Sequence, residues 1–141
     1  MQTALIEEIP WTPYPGTRTT TTLYKGLLKG APDGLNNYEL AYEEFGEGGA
    51  ISPRHRHNFE QFRWAFDEPL NFSPKQDIPP GHLGYFPEGT YYGPQHIVDG
   101  CHMLILQFGG PSKQGYIGWE DLFRGTEELK QKGEFIKGVY T

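Results

Sequence analysis

Two histidines, His55 and His57, stand two residues apart in the run Pro53-Arg-His-Arg-His-Asn-Phe-Glu-Gln61. In an extended strand, residues i and i+2 project from one face, ~6.6 Å apart along the backbone. Two imidazoles on one face can converge on a single divalent ion, through bonds of ~2.0–2.1 Å. Glu60 and Gln61 follow closely, and either can add an oxygen ligand. The segment reads as a metal cradle. No nucleophile–base arrangement competes with it: there is no Gly-x-Ser-x-Gly, and nothing around Cys101 marks a reactive thiol. Gly46-Glu-Gly-Gly49 lacks the Lys and the following helix of a phosphate loop.

The rest of the chain must hold that segment in place. At 141 residues it predicts one domain, 1–141, able to bury a core without disulfides. Eighteen acidic against 12 basic residues give a net charge of -6, which argues against nucleic acid or an anionic membrane as partner. The lone Cys101 cannot form an internal disulfide. The start of the chain lacks a basic region, and no apolar run nears the ~20 residues of a membrane span. The expectation is a soluble cytoplasmic protein.

Gly 19, Pro 12 and 15% aromatic residues predict an all-β protein of short antiparallel strands. Residues 1–16, with three prolines, read as an extended arm capping the domain, and 17–111 as the barrel. Thr17 to Leu28 predicts a long strand. Tyr38 to Phe45 alternates Tyr38, Leu40 and Tyr42 against Glu39, Ala41 and Glu43, as a half-buried strand does. Phe62 to Phe66, Leu70 to Phe72 and Leu83 to Phe86 predict further strands. Met103 to Phe108 is a continuous apolar strand. Within 112–141, Trp119, Leu122, Phe123 and Leu129 predict a helix over 119–132, followed by a short strand or arm.

The His-x-His element, followed by Gly81-x5-Pro87-Glu-Gly89 about twenty residues on, resembles the two signature motifs of the cupin superfamily. The matched stretch runs from about Pro53 to Phe108. The resemblance implies a double-stranded β-helix, a small jelly-roll barrel with a metal inside its mouth, and commonly a homodimer. Trp11 and Tyr14, apolar rings in the arm, are expected to bury against something, which adds to the expectation of a homodimer. Carried over by position, His55 and His57 become ligands. The carboxylate place falls on Gln61, whose side chain shares the histidines' strand parity while Glu60 points away. The third-histidine place holds Tyr92, with His96 four residues further. Either a kink at Gly93-Pro94 brings His96 in as a fourth ligand, or Tyr92 lies beside a three-ligand ion. Glu68 stands where the motif expects a glycine.

Arg63 has the parity of Gln61; facing inward it would meet a substrate carboxylate or an internal Glu or Asp. His82 and His102 match no ligand position. The expected cofactor is one divalent transition metal: iron, zinc, manganese, nickel or copper. The expected activity is a metal-dependent reaction on a small organic acid, enol or phenol, with Tyr92 and Arg63 serving catalysis. Isomerase, cyclase, lyase and dioxygenase chemistry all fit. A non-catalytic binding or sensing protein, or a metal-free acid–base isomerase, are the alternatives.

Overall fold

The structure is a computed structural model; it describes residues 1–14, 21–30, 37–52 and 54–109, and the backbone of 139–140. Turn residues cut the chain into short extended runs, which pair as β1 (Thr12–Pro13), β2 (Thr22–Lys29), β3 (Tyr38–Phe45), β4 (Ala50–Ser52), β5 (Arg56–His57) and β6 (Phe59–Ala65). These are followed by β7 (Leu70–Ser73), β8 (Gln76–Ile78), β9 (Leu83–Phe86), β10 (Gln95–Ile97), β11 (His102–Gly109) and β12 (Val139–Tyr140). One antiparallel sheet has the order β1-β2-β3-β11-β6-β9. The strands β4–β10, β7–β8 and β5–β12 pair two by two. Backbone bonds link them further: His55 and Tyr92 exchange N–H···O bonds of 2.9 and 3.0 Å, and the Gly93 N–H donates to Phe72 O at 2.7 Å. Phe45, Phe59, Leu70, Met103 and Ile105 are among the residues of the buried core. The expected all-β jelly-roll is the observed fold.

The second motif is a pair of turns tied back to the histidine strand. Gly89 has φ +79, a conformation that only glycine adopts freely, and its N–H donates to His57 O at 2.8 Å. Gly81 donates likewise to Ala65 O at 2.8 Å. The two sequence motifs are therefore joined by main-chain hydrogen bonds at both ends.

The period of β3 is as expected, but its sides are reversed relative to a plain apolar-inward strand. Glu39, Ala41, Glu43 and Phe45 face inward and are buried, while Tyr38, Leu40 and Tyr42 face out. An alternation of period two marks two faces without saying which is inside. A barrel with a polar interior can turn the charged one inward.

The arm caps the body of the chain, as expected from the prolines of residues 1–16. Trp11 packs on Tyr42 (5.4 Å between ring centroids) and beneath the Lys25 ammonium at 4.6 Å. Tyr14 is buried edge-on to Tyr24. Lys25 Nζ donates to Ile6 O at 2.9 Å, beside a short 3-10 turn over Ile6–Glu8. The arm's aromatics are thus spent on the chain's own β2 and β3. The helix expected over 119–132 lies outside the described residues; of 112–141 only Val139–Tyr140 is described, as the strand pairing with β5. Among the described residues no helix is long and apolar enough to cross a membrane.

His102 illustrates an electrostatic tie across the outer surface. Its Nδ1 lies 2.6 Å from Asp67 Oδ2 and its Nε2 2.9 Å from Glu44 Oε2, with its ring stacked on Tyr42. Partial burial pushes its pKa down, but hydrogen bonds to Asp67 and Glu44 and their charges outweigh this and hold it above 6.5. Asp67 is opposed by burial as well, yet the His102 backbone and side-chain bonds hold it below 3.8. The raised histidine contributes stability that is full below about pH 6.5 and fades as pH rises through the folded value. The lowered aspartate contributes above its unfolded value, and that share fades as pH falls through the folded one. The thermal-midpoint gap between wild type and His102→Gln should therefore be widest near pH 5 to 6 and shrink in alkali, about where the two windows overlap. A gap independent of pH would refute the ion-pair account.

Candidate functional site

Strand parity puts both histidines inside. His55, held by its bridge to Tyr92, is 0% exposed, and His57 in β5 is almost as deeply buried. Their Nε2 atoms face each other at 3.1 Å, with the rings nearly perpendicular. His55 Nδ1 lies 3.4 Å from Ser52 Oγ. His57 stacks on Phe59 with centroids 4.3 Å apart. Tyr92 packs against both imidazoles, at 4.5 and 5.7 Å.

The inward face of β6 continues the site with Gln61 and Arg63, each 2% exposed. Arg63 Nη2 donates to Gln61 Oε1 and to the Tyr92 hydroxyl oxygen, both at 2.8 Å. The Tyr92 hydroxyl donates in turn to Gln61 Oε1 at 3.1 Å. The guanidinium carbon sits 4.8 Å from the ring centroids of both Phe86 and Tyr92. Gln61 Nε2 donates to Gln107 Oε1 on the neighbouring β11, where the two residues are cross-strand partners. The guanidinium has only donors, so it is Arg63 that requires the carbonyl end of the Gln61 amide on its side, leaving the NH2 for Gln107. The buried carboxylates Glu39 and Glu43 occupy the same inner sheet face, and Glu39 Oε1 accepts from the Tyr24 hydroxyl at 2.9 Å.

The donor set fits a divalent transition ion through its nitrogens. Two Nε2 atoms 3.1 Å apart subtend roughly 100° at an ion ~2.05 Å from each, between octahedral and tetrahedral angles. Imidazole suits zinc, iron, nickel and copper better than magnesium. Gln61 Oε1 accepts two hydrogen bonds and would have to release one to bind an ion. Among the described residues no cluster of three or more His, Cys, Asp or Glu side chains is gathered for a metal. The ion would therefore rest on His55 and His57, with Gln61 Oε1, water or substrate oxygen completing its shell.

His96, expected as a fourth ligand, is not brought to this cluster. It is exposed on β10, where Gln95 and Ile97 face inward. Residues 93 and 94 lie outside any strand, so the parity shared by 92 and 96 is lost across them. Tyr92 occupies the interior place instead. Glu60 points away and accepts the Tyr85 hydroxyl at 2.6 Å, as parity predicts. His82 is exposed beside Pro80 O. Cys101 is fully buried, and burial pushes its thiol up to about 12, with Asp67 and Glu68 adding to the rise; it stays protonated and unreactive. Gln107 escaped the sequence reading. The clue was present, since it is the one polar residue in the apolar run Met103 to Phe108 and shares the inward parity of Met103 and Ile105.

No protein-family model matches this sequence, and no curated protein matches it. Solved structures do resemble it in fold. An RmlC-like cupin from Ralstonia eutropha JMP134 is 17% identical, with a TM-score of 0.60 over 100% of this chain and 96% of that one. The polyketide cyclase RemF from Streptomyces resistomycificus is 17% identical, with a TM-score of 0.59 over 77% of this chain and 79% of that one. A candidate acetylacetone dioxygenase from Methylibium petroleiphilum PM1 is 15% identical, with a TM-score of 0.66 over 86% of this chain and 90% of that one. The antiparallel sheets agree with these likenesses, and the chain has the fold of the small RmlC-like cupins.

Proposed function

We propose that this chain is a metal-dependent enzyme acting on a small organic acid, enol or phenol within the barrel. The observation that carries the reading is the pair of buried Nε2 atoms turned toward each other at 3.1 Å. Fold neighbours named as a cyclase and a dioxygenase support an enzymatic rather than a purely structural role.

His55 and His57 would hold the ion, with Gln61 as an oxygen donor beside them. A bound divalent ion there supplies Lewis acidity toward a carbonyl or enolate oxygen, or dioxygen activation if it is iron. Arg63 offers its guanidinium to an anionic oxygen of the substrate, in an interior where such a bond is stronger than in water. Tyr92 accepts from Arg63 and donates to Gln61, so its hydroxyl is oriented to pass a proton to or from the substrate. Gln107 accepts from the NH2 end of the Gln61 amide and so anchors that side chain from the neighbouring strand. Phe59 and Phe86, packed on His57 and Tyr92, keep the surroundings dry.

A second reading has a specific observation behind it. A separation of 3.1 Å is also the length of an N–H···N hydrogen bond, so the pair can stand without metal as an acid–base couple with Tyr92. Purified protein incubated with excess zinc, iron, manganese, nickel or copper and then gel-filtered separates the two. About one ion retained per chain is expected. Retention of none passes the site to the metal-free reading. Turnover against a panel of small carboxylates, enols and phenols then divides an enzyme from a binding or sensing protein.

A further inference from the structure

We propose that Glu39 is a positioning residue of the interior site: through Gln107 it holds Gln61, and with it the surface that Gln61 shares with Arg63 and Tyr92. The inference rests on the reading of Gln61 as part of the site, and it concerns a residue two strands away. In the register of the six-stranded sheet, Gln61 on β6, Gln107 on β11 and Glu39 on β3 stand opposite one another. All three are buried. Opposed side chains on adjacent strands have Cβ atoms ~4.5–5.5 Å apart, within reach of a hydrogen bond between long polar groups.

The row has one direction. Arg63, which has donors only, takes the Gln61 carbonyl. The Gln61 NH2 then donates to the Gln107 carbonyl. That leaves the Gln107 NH2 turned away from β6, and a buried NH2 needs an acceptor. Glu39, next in the row, offers two carboxyl oxygens there. Neither amide can turn over without setting two donors or two acceptors against each other. Glu39 is in turn held from its far side, where the Tyr24 hydroxyl donates to its Oε1 at 2.9 Å. Tyr24 lies over Gly26: a Cβ there would stand 3.0 Å from the hydroxyl and 3.3 Å from the ring, so the bare glycine leaves room for this contact. Tyr14 of the arm packs edge-on against the same ring. The polar row thus crosses β6, β11, β3 and β2, from Arg63 to the arm. Glu43 is buried on the same face of β3 but stands opposite Met103, outside the row.

Magnetic resonance of the side-chain amides of Gln61 and Gln107, in the full chain without added metal, tests the proposal. In Glu39→Leu, solvent exchange of the Gln61 NH2 should quicken about tenfold, the factor carried by one hydrogen bond, while backbone exchange in β6 stays as in wild type. Glu39→Gln should restore the slow exchange. Its carbonyl can face Gln107 while its NH2 meets the Tyr24 hydroxyl, which accepts as well as donates. Glu43→Gln, a control outside the row, should leave the Gln61 signals unmoved. Zinc alone gives a second reading: affinity should fall at least ~10-fold in Glu39→Leu and recover in Glu39→Gln, as for a partner standing behind a ligand. A wild type that binds no zinc removes the metal reading, and the Gln61 exchange still decides the role of Glu39. Unchanged exchange in Glu39→Leu overturns the proposal and leaves Glu39 to Tyr24 and to Lys29, its cross-strand neighbour on β2. Equal losses in Glu39→Leu and Glu39→Gln overturn it too, since charge rather than an acceptor would then be at work. Should Glu39→Leu fail to fold, the wild type decides: cross-relaxation must connect the Gln107 NH2 with the Glu39 γ protons, and its absence overturns the assignment.

Discussion

Replacing His55 and His57 together with Ala is expected to leave a folded barrel that holds no metal and has no turnover. Both imidazoles converge on one point, so removing the pair removes every nitrogen donor of the proposed site. Loss of a partner beyond the ligands typically costs 10–100-fold in metal affinity or activity, and a ligand should cost no less, so at least ~100-fold is expected from the double change. The cavity left behind should lower stability by about 2–4 kcal/mol, which a core containing Phe45, Phe59, Met103 and Ile105 can absorb. Elemental analysis after gel filtration and a thermal melt read the two effects separately. Full metal retention in a well-folded double variant would place the ion elsewhere. Loss of turnover with the wild type itself metal-free would favour the imidazole–tyrosine acid–base couple.

The second large effect is expected at Arg63. Its guanidinium is 2% exposed and its Nη2 serves both Gln61 and Tyr92. Arg63→Met keeps much of the side chain's length and packing while removing the charge and the donors. Truncating one member of a buried, hydrogen-bonded charged contact costs about 2–5 kcal/mol, or roughly 30- to several-thousand-fold in affinity. Binding of a carboxylate or enolate ligand should fall by that order, while a neutral analogue of the same shape should lose far less. Equal losses for both ligands would make Arg63 a support for Gln61 and Tyr92 rather than a contact for substrate. Calorimetric titration of the variant with the two ligands distinguishes these outcomes.

Much of the site was legible because it follows from strand periodicity alone. His55, His57, Gln61 and Arg63 are all odd-numbered, and their common parity survives the bend at Asn58 between β5 and β6, so all four turn inward. The turns were equally legible: glycine and proline cut the chain at residues where positive φ or a missing N–H leaves few alternatives, as Gly81 and Gly89 show.

What the sequence by itself determined, then, is local: extended backbone, turn positions, and which residues share a face. Three decisions belonged to the tertiary structure. The side of β3 that faces inward depends on what lies across the barrel, so Glu39 and Glu43 could be paired with each other by pattern but not placed in the interior. Tyr92 rather than His96 enters the site because two residues outside any strand shift the phase between them, and no periodic pattern survives such a break. The Gln61 amide is held between Arg63 and Tyr92 at its carbonyl and Gln107 at its NH2, the last 46 residues away in sequence and adjacent only because β11 lies beside β6. Periodicity is a property of one strand, whereas inside, outside and neighbour are properties of the closed barrel.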